Sequence, residues 1–150
     1  MFDVETYFAQ IETRLKACRG QTVCLDVEGP HIKRDRNGRW IGATLNIDIE
    51  WATGEILSVG DYWSNKDKFA LHEFSYHFMR ADNSLIFRLS SHGRTIKHGF
   101  PSHVHVGEPQ QTIEDGDPRL HGYRLVSITL IEALELIQVY ALGNRLPWEP

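Results

Sequence analysis

The sequence predicts an α+β domain in which an antiparallel β-sheet of about five strands is flanked by an N-terminal and a C-terminal helix. Three observations predict it. Apolar residues recur at helical spacing at both ends of the chain, the pattern between them is the two-residue alternation of half-buried strands, and turn-forming residues break that alternation at short intervals. With 150 residues, 41% hydrophobic and 24% charged, the chain has the size and mix of a single domain over 1–150, and not of a disordered polymer.

The N-terminal helix is read from Val4, Phe8, Ile11, Leu15 and Cys18, with Asp3 as its N-cap and Gly20 as its stop. Val23, Leu25 and Val27 then alternate as a strand until Gly29-Pro30, after which the basic run from His31 to Arg39 reads as a loop. From Ile41 to Trp51 the alternation is too long for any helix. Ala52-Thr53-Gly54 turns the chain into a further strand, Glu55 to Trp63, and residues 65–68 reverse it again. Phe69 to Arg80 and Leu85 to Leu89 flank Ala81-Asp82-Asn83-Ser84, a connection suited to a hairpin. Residues 90–123 carry eight Gly and Pro punctuations, which predict a long, histidine-containing loop with room for a short strand near Val104 and Val106. Leu125 to Leu142 reads as a mostly buried helix ended by Gly143-Asn144.

Composition bounds the partners. The net charge of −4 argues against a wholly basic nucleic-acid binder. No apolar run approaches the roughly 18 residues of a spanning helix, and the start lacks a secretion signal, so a cytoplasmic location without membrane contact is expected. Cys18 and Cys24 are too few for a disulfide framework and are read as reduced thiols. Charge is uneven, however. Residues 64–105 hold 6 basic and 3 acidic side chains, while both flanks are acidic. Six of the eight histidines, His72, His77, His92, His98, His103 and His105, fall in that same stretch.

Two kinds of chemistry fit these residues. His103-Val104-His105, if extended, places two imidazoles on one side about 7 Å apart, as metal or phosphate binding requires. A metal would need a third ligand from Glu108, His98 or His77; no metal and no cofactor is expected. The second is RNA cleavage by the ribose 2′-hydroxyl, which needs a base, an acid and a cation for the charged transition state. His77, His103 and His105 are the candidates for proton transfer and Arg88 for the phosphate. Arg94, Lys97 and His98 are candidates for holding the RNA strand. Strand periodicity puts His77 with Glu73 and Ser75 on a polar face, opposite His72, Phe74, Tyr76 and Phe78. Core packing is the favoured reading of those aromatic residues, with Tyr76 kept as a candidate base contact. Whether His77 meets Arg88 across the hairpin depends on register.

Three pieces carry a resemblance to a known family: Tyr76-His77, then Leu85-Ile86-Phe87-Arg88, then Phe100-Pro101-Ser102-His103-Val104-His105-Val106-Gly107. In order and spacing the stretch from His72 to Gly107 resembles the TumE family, the toxin components of bacterial and archaeal type II toxin–antitoxin pairs. The family more often has another histidine at Ser102 and a basic residue at Val104. The resemblance implies a toxin acting on RNA or translation, neutralised by a cognate antitoxin protein. Together with the histidines it leads to the expectation of a metal-independent ribonuclease whose partners are an antitoxin and RNA, with a homo-oligomer left open. The alternatives from other classes are a non-enzymatic protein-binding domain and a metal-binding module built on the His-x-His pair.

Overall fold

The computed structural model describes residues 2–66, 70–91 and 102–150. Helix α1 (Val4–Cys18) starts at Asp3, whose side chain accepts from the Glu5 N–H, and buries Val4, Tyr7, Phe8, Ile11 and Leu15. A single 3-10 turn, Arg19–Gln21, leads from it into the sheet. Seven strands follow among the described residues: β1 (Thr22–Arg34), β2 (Trp40–Trp51), β3 (Ile56–Ser64), β4 (Leu71–Met79), β5 (Leu85–Ser91), β6 (Ser102–Val106) and β7 (Gln111–Glu114). They lie side by side in chain order as one antiparallel meander. Helix α2 (Leu130–Ala141) closes the chain, its start fixed by a reciprocal capping box between Thr129 and Glu132.

Both helices pack on one face of the sheet, where Ala43, Leu45, Ile47, Leu57, Val59, Phe78, Phe87 and Leu89 form a core with Ile11, Ala133 and Ile137. A polar group sits inside that core. Asp61 of β3 is 3% exposed and accepts hydrogen bonds from Tyr7 Oη at 2.5 Å and from Tyr76 Oη at 3.1 Å, and it also bonds His72 Nε2. Tyr7 Oη in turn accepts from the Leu130 N–H at 3.2 Å, so one phenol ties α1 to the first turn of α2. Burial and the Asp61 carboxylate push both phenols well above the ordinary tyrosine range, which keeps them protonated as donors. The rings pack as well: Phe2 stacks on Trp63 and Trp63 on His72, with centroids 3.9 and 3.6 Å apart.

Several elements differ from the sequence reading, each for an identifiable reason. Gly29-Pro30 does not end β1. It forms a bulge, seen as a register shift between Glu28 and His31, and the strand resumes through residues read as loop. Glycine is required at 29 because its φ is +99° and a Cβ there would lie 2.8 Å from the Thr44 carbonyl oxygen. The punctuation between 102 and 114 is the turn of a hairpin: Gly107 to Gln110 connect β6 to β7, so His103 and His105 lie on a strand rather than in a loop. The part of the expected loop at 92–101, like residues 67 and 68 of the reversal and residue 69 at the expected start of the next strand, lies outside the described residues. Leu125 and Ile128 are buried as their apolar character suggests, but they precede the helix, since Ser127 has a φ of +58° and Thr129 caps α2. Cys18 and Cys24 are free thiols. No helix among the described residues is long and apolar enough to cross a membrane.

Asp61→Ala leaves two phenols and an imidazole without their acceptor in the core, and is expected to cost about 3 kcal/mol or more of folding free energy. Urea unfolding measures it; a loss under about 1 kcal/mol would show that the cluster is dispensable.

Candidate active site

The sheet face opposite the helices is lined by the outward residues of each strand, and the register sets their order. Asp26, Asp48, Ser58, His77, Arg88, His105 and Thr112 oppose one another on successive strands in a single row. In the next row Glu28, Asn46, Gly60, Ser75, Ser90, His103 and Glu114 do the same. Directly opposed side chains have Cβ atoms roughly 5 Å apart. Three strands thus assemble His77, Arg88, His103 and His105 on one face, with the acidic residues of β1 and β2 at its far side.

Local sequence explains each placement. On β4 the inward set His72, Phe74, Tyr76 and Phe78 is buried, which turns Glu73, Ser75 and His77 outward. On β5 inward Phe87 and Leu89 leave Arg88 and Ser90 outward, and on β6 fully buried Val104 leaves His103 and His105 outward. Arg88 is half-buried, and its Nε is sealed from solvent without a hydrogen-bond partner among the described residues. None of the carboxylates described there forms an ion pair with it. The guanidinium therefore projects a cationic field between two imidazoles.

That field adds to the effect of burial on both rings. Burial and the neighbouring Arg88 lower the His77 imidazole below the ordinary histidine value. His105 is also lowered, by burial first, then by Arg88 and His103, with Glu114 pulling the other way. His105 is only 9% exposed, and its Nδ1 meets Gln110 Nε2 and Thr112 Oγ1, each at 3.0 Å. With the amide nitrogen as donor, Nδ1 is the acceptor and the neutral ring carries its proton on Nε2. The His103 and His105 rings meet edge to face with centroids 4.5 Å apart.

Among the four residues expected to carry chemistry, His77, Arg88, His103 and His105, the structure brings all together on the uncovered face. Tyr76 is not with them. It is fully buried on the opposite face with its hydroxyl bonded to Asp61, so the candidate base contact is corrected to a core residue. Arg94, Lys97 and His98, the candidate strand-holding residues, lie outside the described residues. Glu108, weighed as a metal ligand, accepts instead from the Leu85 N–H at 3.3 Å. No group of three His, Cys, Asp or Glu side chains among the described residues converges as a metal site. The residue missed by the sequence reading is Glu114, opposite His103, because a four-residue strand with one apolar position, Ile113, gives almost no periodicity.

A separate hollow of about 550 Å³ lies between α1 and β1, lined chiefly by apolar residues such as Phe8, Ile11, Leu25, Val27 and Ile32. It lies on the helix-covered side of the sheet, away from the imidazoles. The fold and this face define an α+β meander protein with a histidine–arginine surface site. Comparison with family models, with curated proteins and with solved structures finds no match for this chain.

Arg88→Gln removes the cation between the two imidazoles. Histidine titration by NMR is expected to show His77 and His105 both moving up in pKa; values unchanged from the parent would mean that Arg88 does not set their charge state.

Proposed function

We propose that this protein is a metal-independent endoribonuclease acting as the toxin of a toxin–antitoxin pair. The observation that carries the reading is the cross-strand row His77–Arg88–His105, with His103 beside it, on a face no helix covers. Cleavage of RNA by its own 2′-hydroxyl asks for this set of groups: imidazoles neutral or protonated near pH 7 to take and give a proton, and a fixed cation for the charge that develops on the phosphorane oxygens. A guanidinium with no carboxylate partner among the described residues can donate to two phosphate oxygens through its planar fork. The resemblance of the segments around His77, Arg88, His103 and His105 to the TumE family supports the toxin role, and with it neutralisation by an antitoxin.

The overall charge of −4 fits a site that engages one phosphodiester, since the cations are local and the acidic residues of β1 and β2 disfavour a long run of phosphates across the face. A single scissile linkage in a single-stranded segment satisfies both conditions. Specificity for RNA over DNA follows from the reaction, which consumes the 2′-hydroxyl.

Expression of the parent chain is expected to arrest bacterial growth, and Arg88→Ala, His103→Ala and His105→Ala to relieve the arrest. Purified protein is expected to cleave RNA, and not DNA, in excess chelator, with a loss of about 10² or more in rate for each substitution. Unimpeded growth with the parent chain, together with no cleavage in vitro, would remove this function.

A further inference from the structure

Resting on the ribonuclease reading, we infer that Glu114, opposite His103 in the register of β6 and β7, is the positioning residue of the site: its charge favours the imidazolium form of His103 that protonates the leaving oxygen, which leaves His77 as the base. The arrangement is geometric. Arg88 lies on the middle strand of three, with His77 on β4 on one side and the histidines of β6 on the other. A phosphate seated on Arg88 therefore has one imidazole toward each flank, as displacement with attacking and leaving oxygens in line demands. The adjacent strands are about 4.8 Å apart, so the flanking residues bracket a group the size of a phosphate.

The flanks differ in charge. His77 faces Ser58 on β3 and Arg88 on β5, so it has a cation opposite it and no opposing carboxylate. His103 faces Ser90 on β5 and Glu114 on β7, with Arg88 and Thr112 diagonal to it and His105 next along its own strand. Glu114 is the carboxylate directly opposite an imidazole of the site, and it favours the charged ring. Its influence reaches His105 too, where it opposes the lowering by burial, Arg88 and His103. Unequal surroundings for paired titratable groups are what separate an acid from a base. His105, held through Nδ1 by Gln110 and Thr112, presents Nε2–H as a neutral donor to a non-bridging phosphate oxygen.

The step balances. Neutral His77 takes the proton of the 2′-hydroxyl as the oxygen bonds to phosphorus; the bond from phosphorus to the 5′-oxygen breaks, and that oxygen takes the proton of the His103 imidazolium. The products are a 2′,3′-cyclic phosphate and a 5′-hydroxyl, with His77 now charged and His103 neutral. Exchange of protons with water restores the starting state.

The test uses the full chain. In NMR titrations of the RNA-free protein, Glu114→Gln is expected to lower the His103 pKa by about half a unit or more, whereas Glu73→Gln, which removes an exposed carboxylate elsewhere on the sheet, leaves it in place. Glu114→Asp, which keeps the charge, is expected to restore most of the shift. In chelator, the alkaline limb of the kcat/KM profile for RNA is expected to move down by the same amount in Glu114→Gln, so that activity lost near neutrality returns as the pH is lowered. A His103 titration indifferent to Glu114→Gln overturns the pairing whatever the protein does to RNA. A shifted titration with a uniform loss of rate and an unmoved profile overturns the acid role. A shifted titration in a parent chain that cleaves no RNA removes the ribonuclease reading and the acid role together, and leaves only the electrostatic pairing.

Discussion

One carboxylate inside the core sets much of this architecture. Asp61 receives a phenol from α1, a phenol and an imidazole from β4, and through Tyr7 it is linked to the amide that opens α2. Buried polar groups are costly unless every partner is in place, so a network of this kind admits few alternative packings. The His72 ring bonded to it is stacked on Trp63, and Trp63 on Phe2. The consequence extends beyond stability. By fixing His72 and Tyr76 inward, Asp61 fixes the phase of β4, and a slip of one residue would turn His77 into the core.

The uncovered face inherits its order from that phase. Each inward aromatic or aliphatic residue of β4, β5 and β6 obliges its neighbour to point outward, and the meander brings those neighbours into rows without any long connection between them. Four groups from three strands then share one electrostatic environment. Burial lowers the His77 and His105 imidazoles first, and Arg88 between them lowers both further. An arrangement of this kind belongs to the register rather than to any one residue.

How much of this was legible in the sequence depended on the length of each pattern. The eleven-residue alternation from Ile41 to Trp51, the helical spacing from Val4 to Cys18 and the opposite faces of His72–Met79 are long enough to declare themselves, and the polar-face placement of His77 followed from the last of them. Shorter signals failed. Gly29-Pro30 carries the chemistry of a break, yet tertiary pairing with β2 absorbs it as a bulge on an edge strand, where a missing N–H is tolerated. Glycine and proline at 107 and 109 looked like loop punctuation, but they turn a hairpin whose strands are too short to show a period. The opposition of His103 and Glu114 across β6 and β7 was invisible for the same reason. Tyr76, adjacent to His77 in the chain, is remote from it in function because consecutive residues of a strand face opposite ways.

The proposed function requires that a phosphodiester of RNA seat on Arg88 between the imidazoles of β4 and β6. Titration of the labelled protein with a short 2′-O-methyl RNA, which binds but cannot attack itself, tests this most directly. NMR signals of the His77, Arg88, His103 and His105 side chains are expected to shift together and to saturate with one affinity that weakens as salt is added. Shifts confined to the groove between α1 and β1, or none on the uncovered face, would contradict it.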